Sequence, residues 1–173
     1  MLDDGGAQHL QPGIALPSLP LPSTHDTEID LAALPGRNLV VVYPWTGRPE
    51  HPDPPGWDDI PGAHGSTPEL EGFRDRHTEF ARLRVSLFGL SRQTVDYQQE
   101  LSERLALPFP VLSDVEGRFA AALRLPSFNT GGEIYLERLT LVAASGRIER
   151  VFYPVANPAR HADEVLGWLR RKA

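Results

Sequence analysis

The run Leu39-Val40-Val41-Val42-Tyr43 is the feature that most limits how this chain folds. It is apolar and rich in β-branched residues, and it is too short for a core helix, so it predicts a strand that is buried on both faces. Two further short apolar runs, 85–90 and 109–112, have the same character. Such strands need helices on both sides of one sheet, which indicates an α/β protein.

The segments between these runs carry helix signals. We predict helices over 67–83, 94–105 and 114–123 and from 158 onward, and a hairpin over 137–153 that turns at Ser145-Gly146. Prolines leave room only for a short hairpin within 18–31, and 128–132 reads as a turn. The predicted fold is a central mixed β-sheet with helices on both faces. Residues 1–12 are expected to be a flexible N-terminus, and 13–173 a single domain.

Composition excludes several classes of function. The chain has 173 residues and a formal net charge of −6, whereas a general nucleic-acid binder needs a basic surface. It has no apolar run of the roughly 18 residues that a membrane span requires, and its first residues do not resemble a signal peptide. It contains no cysteine, so disulfides, thiolate metal sites and cysteine catalysis are excluded. We expect a cytoplasmic protein without nucleic-acid or membrane partners and without a cofactor.

The stretch Pro61–Asp75 concentrates the functional signals. It runs from a Gly-rich loop into a helix, and Ser66 stands at the junction. Ser66 and Glu69 have the spacing of a capping box, in which each side chain binds a free backbone N–H group at the helix start. Position 66 therefore lies at the positive end of a helix, where proteins stabilise anions and lower thiol pKa values. Its residue is a serine, which those forces do not ionise at neutral pH.

Several segments, in order along the chain, resemble one protein family. They are Tyr43-Pro44, STPELEGFRD at 66–75, LPFPVLSD at 107–114, and RLTLV at 138–142 followed by SGRI at 145–148. Together they resemble peroxiredoxins of the alkyl hydroperoxide reductase/thiol-specific antioxidant type, and the bacterioferritin-comigratory group is the most similar. The resemblance implies a thioredoxin-like fold. It places Ser66 at the peroxidatic cysteine, Glu71 at the resolving cysteine and Arg138 at the active-site arginine.

The departures from the family concern its chemistry. Peroxide reduction needs a thiolate that becomes a sulfenic acid, and Ser66 does not supply those electrons. Ala63 stands where the family has a threonine, and Thr46 in the long loop 44–62 is its candidate substitute. With Ser66 and Arg138, the expected binding residues are Pro44, Thr46, His64 and Gly65. The expected ligand is small, of peroxide or anion size, and the resemblance implies a monomer or a homodimer.

Each candidate site residue also has a simpler structural interpretation. Ser66 could be only a helix cap, Arg138 an ordinary strand arginine, and Trp45 and Trp57 packing or interface residues of the long loop. The main hypothesis is a family member that acts by binding. One alternative is a thiol peroxidase presented as a Cys-to-Ser variant, and another is a serine hydrolase that uses Ser66 and His64. The spacings of His51, His64, Glu69 and Asp75 match no metal-ligand pattern, so no metal is expected.

Overall fold

The computed structural model describes residues 1–173 and contains nine β-strands and five α-helices. The strands are β1 (Pro20–Pro22), β2 (Glu28–Asp30), β3 (Arg37–Val42), β4 (Val85–Ser91), β5 (Val111–Ser113), β6 (Ser127–Thr130), β7 (Glu133–Leu136), β8 (Leu139–Ala144) and β9 (Arg147–Phe152). The helices are α1 (Ser66–Asp75), α2 (His77–Arg82), α3 (Val95–Leu105), α4 (Arg118–Leu123) and α5 (His161–Lys172). Short 3-10 helices occupy Leu31–Ala33, Trp57–Asp59 and Pro158–Arg160.

The central sheet has five strands in the order β5-β4-β3-β8-β9. Strand β3 lies in the middle, parallel to β4 and antiparallel to β8. Its side chains alternate between two apolar clusters: Leu39 and Val41 face one, and Val40 and Val42 face the other. Helices α1, α2, α3 and α5 contribute to the first cluster and α4 to the second. The predicted mixed sheet with helices on both faces is therefore confirmed.

Two sequence predictions about helices need correction. The helix predicted over 67–83 breaks at Arg76, which has φ −99° and ψ 3°, and the chain restarts as α2. The Arg76 side chain binds Asp163 of α5 and Glu79 of α2, so tertiary contacts hold the break in place. The helix expected from Asp114 begins only at Arg118. The Asp114 carboxylate still accepts hydrogen bonds from two backbone N–H groups of α4, those of its second and third residues.

The region between α4 and β8 is more ordered than the sequence indicated. The expected turn at 128–132 is the end of a hairpin, in which β6 and β7 pair antiparallel over four residues each. This hairpin escaped prediction because its strands are short and mostly exposed. Strand β8 starts at Leu139 rather than Glu137, so Arg138 lies just before the strand.

The N-terminal segment lies against the sheet and its helices. Leu10 is buried, and the imidazole Nε2 of His9 is 2.9 Å from the carbonyl oxygen of Leu123. The β1–β2 hairpin forms as predicted within 18–31. None of the helices combines the length and the apolar composition that a membrane-spanning segment requires.

Candidate functional site

Helix α1 begins on a glycine rather than on a capping side chain. Gly65 is the N-cap, with φ 112°, and Ser66 is the first residue of the helix. A Cβ on Gly65 would lie 2.8 Å from Cγ of Pro158, so both the backbone angle and the space require glycine there. The predicted capping box of Ser66 and Glu69 is wrong, because the Glu69 carboxylate points towards Arg138 instead.

Arg138 ties the first turn of α1 to the loop before it. The guanidinium is buried, and its Nη2 donates to Ser66 Oγ at 3.1 Å. The same nitrogen lies 3.2–3.3 Å from the carbonyl oxygens of residues 62–64. Its Nη1 donates to Glu69 Oε1 at 3.1 Å, and the ion-paired carboxylate is fully buried. The buried Arg138 therefore holds Ser66 from the interior of the protein.

Glu69 is a buried carboxyl whose ionisation is opposed by its surroundings. Burial raises its pKa from the usual 4.5 to about 7, although the Arg138 guanidinium acts to lower it. Its Oε2 and the Nε of Arg138 have no hydrogen-bond partner. Near neutral pH this carboxyl is thus poised between its neutral and charged forms.

A cavity of about 220 Å³ opens in front of Ser66. The aromatic walls are Trp45 and Trp57, and Ser66 and Thr67 supply the start of α1. No lysine or arginine is among its lining residues, which are Trp45, Thr46, Gly47, Asp53, Trp57, Ala63, His64, Gly65, Ser66, Thr67 and Pro68. The long loop therefore forms one side of the cavity and the start of α1 the other.

The long loop is anchored through aromatic contacts. The ring of Trp57 lies 5.6 Å from Phe128 and 5.1 Å from Tyr135, both in the β6–β7 hairpin. Trp45 meets Trp57 edge to face, with ring centroids 5.5 Å apart and planes at 67°. Trp45 and Trp57 therefore pack within the protein, which is one of the two roles considered for them. The contacts of Trp57 depend on the β6–β7 hairpin, which the sequence analysis did not predict.

The structure brings together four of the expected site residues. Thr46, His64, Gly65 and Ser66 line the cavity, whereas Arg138 lies behind Ser66. Pro44 is buried but is not among the lining residues. Glu71 lies apart on α1, where its carboxylate is 3.6 Å from the Arg74 guanidinium. The Thr46 hydroxyl donates to Gln93 Oε1 at 3.3 Å.

His64 does not act on Ser66 in this geometry. Its side chain is 55% exposed, and its Nε2 lies 2.6 Å from Asp58 Oδ1. It forms no hydrogen bond with Ser66, whose hydroxyl contacts Arg138. A serine hydrolase built on these two residues therefore gains no support, since the nucleophile lacks a base within reach.

Asp53 is the charged lining residue that the sequence analysis did not single out. Ligand atoms of Asp53, Asp58 and His64 lie within 4.8 Å of one another, and all three residues are exposed. The spacing of these three residues along the sequence does not indicate that they lie together, because the loop folds back through a 3-10 turn at Trp57–Asp59.

Comparison with known proteins agrees with this architecture. The model of the AhpC/TSA family matches residues 60–150, more than half of the chain. A putative peroxiredoxin of Mycobacterium tuberculosis is 33% identical over 107 residues, which cover 61% of this chain and 70% of that protein. This chain belongs to the AhpC/TSA family. A peroxiredoxin of Ignicoccus hospitalis is 27% identical over 110 residues, but the match covers only 47% of its length and 60% of this chain.

Solved structures of the family have the same fold. Peroxidoxin BcpB from M. tuberculosis superposes with a TM-score of 0.77 at 26% identity, covering 95% of this chain and 99% of that chain. The bacterioferritin comigratory protein of Xanthomonas campestris, for which alkyl peroxide reduction is described, gives 0.75 at 25% identity, covering 94% and 99%. The thioredoxin-like peroxiredoxin fold and the likeness to the bacterioferritin-comigratory group are thereby confirmed.

Proposed function

We propose that this AhpC/TSA family member does not reduce peroxides through its own side chains and instead binds a small ligand in front of Ser66. The chain contains no cysteine, so it has no thiolate to attack an O–O bond. The cavity of about 220 Å³ is smaller than the roughly 300–1,000 Å³ of drug-sized pockets, which suits a ligand of few atoms.

The observation that carries the proposal is the 3.1 Å hydrogen bond from Arg138 Nη2 to Ser66 Oγ. It keeps position 66 at the start of α1 beside a buried cation, in an arrangement suited to stabilising negative charge. The electrophilic half of a peroxidase site is thus organised while its nucleophile is replaced. A site of that kind favours an oxygen atom of a ligand at the helix start, with Ser66 and Thr67 as contacts.

The test is rapid-mixing peroxide reduction by Ser66→Cys beside the unmodified chain. We expect the new thiol to be oxidised at least about a hundredfold faster than free cysteine, because Arg138 and the helix start stabilise both the thiolate and the departing oxygen. The unmodified chain, with a thiol reductant and no metal, should consume no peroxide.

The control places the thiol elsewhere on the same helix. Glu71→Cys has an exposed thiol outside the cavity, and it should react at the rate of free cysteine. Equal, slow reaction of both thiols would mean that the cavity is not organised around position 66. Peroxide consumption by the unmodified chain would refute the proposal directly.

Two alternatives have separate tests. A cysteine codon at position 66 of the native gene would make the protein a thiol-dependent hydroperoxide reductase represented here by a variant. Labelling of Ser66 by a fluorophosphonate probe would favour a hydrolase. The cytoplasm is still the predicted compartment, to be checked by cell fractionation, and ultracentrifugation distinguishes the expected monomer from a homodimer.

A further inference from the structure

The walls of the cavity differ in chemistry from its floor. The floor is the start of α1, which favours oxygen atoms and negative charge. The wall that the long loop contributes contains two indole rings and the carboxylate of Asp53, and no basic side chain. Such a wall attracts positive charge, because the faces of aromatic rings carry negative potential and a carboxylate adds a full charge.

The aromatic corner is held in place before any ligand arrives. Trp57 is buried and touches Trp45, Phe128 and Tyr135 with ring centroids 5.1–5.6 Å apart. The edge-to-face contact with the buried Trp57 holds the ring of Trp45, which remains partly exposed. A rigid corner costs little ordering entropy when a ligand binds, which favours affinity for small groups.

Asp53 is the charged group of this wall that is left without a partner. Its neighbour Asp58 is paired with His64, whereas Asp53 has no such ion pair. Arg48 and Arg104 both pair with Glu100, at 3.4 and 2.7 Å, and not with Asp53. The Asp53 carboxylate is therefore available to a positively charged ligand.

Gly47 keeps the space between ring and carboxylate open. A Cβ at this position would lie 3.5 Å from Cη2 and Cζ3 of Trp45 and 3.7 Å from Oδ1 of Asp53. These are ordinary contact distances, so a Cβ there clashes with neither group, and a side chain built on it would enter the space between the indole and the carboxylate.

We propose that the ligand of this site carries a small methylated ammonium group, which sits against the ring of Trp45 beside Asp53. The inference rests on the proposed binding function and adds the chemical class of the ligand. Aromatic walls with a nearby carboxylate recognise such cations through cation–π attraction and charge pairing. A ligand that also carries a carboxylate would place that end at Ser66, against the start of α1.

An organic cation suits this wall better than a metal ion. Asp53, Asp58 and His64 could jointly offer ligand atoms, but their exposed side chains leave the two indole rings without a role. Divalent metals with oxygen and imidazole ligands also gain nothing from an aromatic face. Trp45 is the partly exposed ring of the wall, and an ammonium group would use it.

The experiment compares pairs of probes that differ only in charge. Glycine betaine and choline are titrated by calorimetry up to about 10 mM, beside 3,3-dimethylbutanoate and 3,3-dimethylbutanol, in which carbon replaces the charged nitrogen. We expect each ammonium compound to bind at least about fivefold more tightly than its neutral-headed counterpart. Tryptophan fluorescence provides a second readout, because two of the three tryptophans line the cavity.

Variants locate the binding. Asp53→Asn and Trp45→Leu should each weaken betaine and choline at least about fivefold, and Gly47→Leu should block both. Asp59→Asn removes the same charge from a nearby exposed position that does not line the cavity, and it should leave both affinities unchanged.

Each other outcome overturns the inference in a distinct way. Equal binding of charged and neutral-headed probes, or no effect of Asp53→Asn, would leave a binding site without an ammonium preference. Zinc or magnesium binding that Asp53→Asn and Asp58→Asn abolish, with no response to ammonium compounds, would assign the wall to a metal. Absence of any ammonium binding together with a fast Ser66→Cys variant would reject this ligand class while the proposed site stands. Slow oxidation of Ser66→Cys would instead count against the proposed function itself.

Discussion

The two sides of Ser66 contrast in burial and in ion pairing. Behind it, Arg138 and Glu69 are buried, bonded to each other and tied to the loop at 62–64. In front, the loop 44–62 leaves a cavity of about 220 Å³ and an unpaired Asp53. The back is built from segments that resemble the family, and much of the front from the long loop 44–62. The contrast implies that the back fixes the position of Ser66 and that the front governs ligand choice.

Removing the buried cation is the strongest way to break this contrast. Arg138→Leu leaves Glu69 without its counter-ion and several carbonyl oxygens without a donor, so we expect a loss of as much as about 5 kcal/mol in the free energy of unfolding at pH 8. Urea denaturation measures it. Arg118→Leu is the matched control: its guanidinium is 71% exposed, and the loss should stay within about 0.5 kcal/mol. Similar losses for the two variants would mean that the back of the site is not a stabilising centre.

The front has its own structural anchor, which tests the division from the other side. Trp57→Ala removes a buried indole between the long loop and the β6–β7 hairpin, and we expect a loss of about 4 kcal/mol. Trp45→Ala should cost clearly less, because that ring is only partly buried. Hydrogen exchange should locate the weakened amides of Trp57→Ala within 44–62 and 127–136. Faster exchange across the central sheet instead would show that the loop is not a separate unit.

The raised pKa of Glu69 makes the stability that the back contributes dependent on pH. Its pKa in the folded state is raised to about 7 from 4.5, so between these values the folded chain holds a proton that the unfolded chain has released. The folded state is therefore favoured at low pH, and the contribution of this group falls as pH rises, by about 3 kcal/mol over that window.

Glu69→Gln checks the sign of this effect. The amide oxygen can still accept from Arg138 Nη1, but the group no longer titrates. Denaturation at several pH values should show that the variant loses less stability than the unmodified chain between pH 4.5 and 7. Glu79→Gln, at an exposed ion pair, serves as the control and should keep the original slope. Parallel profiles for Glu69→Gln and the unmodified chain would mean that Glu69 titrates normally.

The sequence predicted the central strands and the back of the site better than it predicted the front. The apolar runs at 39–43 and 85–90 identify β3 and β4, because burial on both faces leaves a strong local pattern. The pairing of Ser66 with Arg138 follows from the resemblance. The capping box failed because Glu69 met a buried guanidinium from residue 138, and no local pattern reports a partner so distant along the chain.

Local sequence patterns gave almost no indication of how the front of the site is built. Asp53 and Trp57 acquire their roles only when the loop folds back on itself and rests on the β6–β7 hairpin. That hairpin has short, half-exposed strands, so alternation alone did not distinguish it from a turn. Contacts between loops depend on tertiary geometry, which single-sequence patterns do not contain.

The smallest predicted effect concerns Thr46, the candidate substitute for the family's threonine. Its hydroxyl donates to Gln93 at 3.3 Å, and the Gln93 amide in turn donates to the Thr46 carbonyl oxygen. The hydroxyl is thus engaged away from Ser66, and Thr46→Val should cost only about 1 kcal/mol. Added to Ser66→Cys, it should leave the rate of thiol oxidation within about threefold, because a group without contact to the thiol stabilises no charge there.

That double variant decides which side of the site Thr46 belongs to. A fall of about a hundredfold in the oxidation rate would mean that the hydroxyl turns from Gln93 towards the peroxide, as a donor at the reacting oxygen would. Ser91→Ala supplies the control, since its buried hydroxyl also contacts Gln93 and does not line the cavity. If both changes slowed oxidation equally, the cause would be a shift of Gln93 and of the loop it holds. An effect of Thr46→Val alone would make the long loop a contributor to the chemistry as well as to ligand choice.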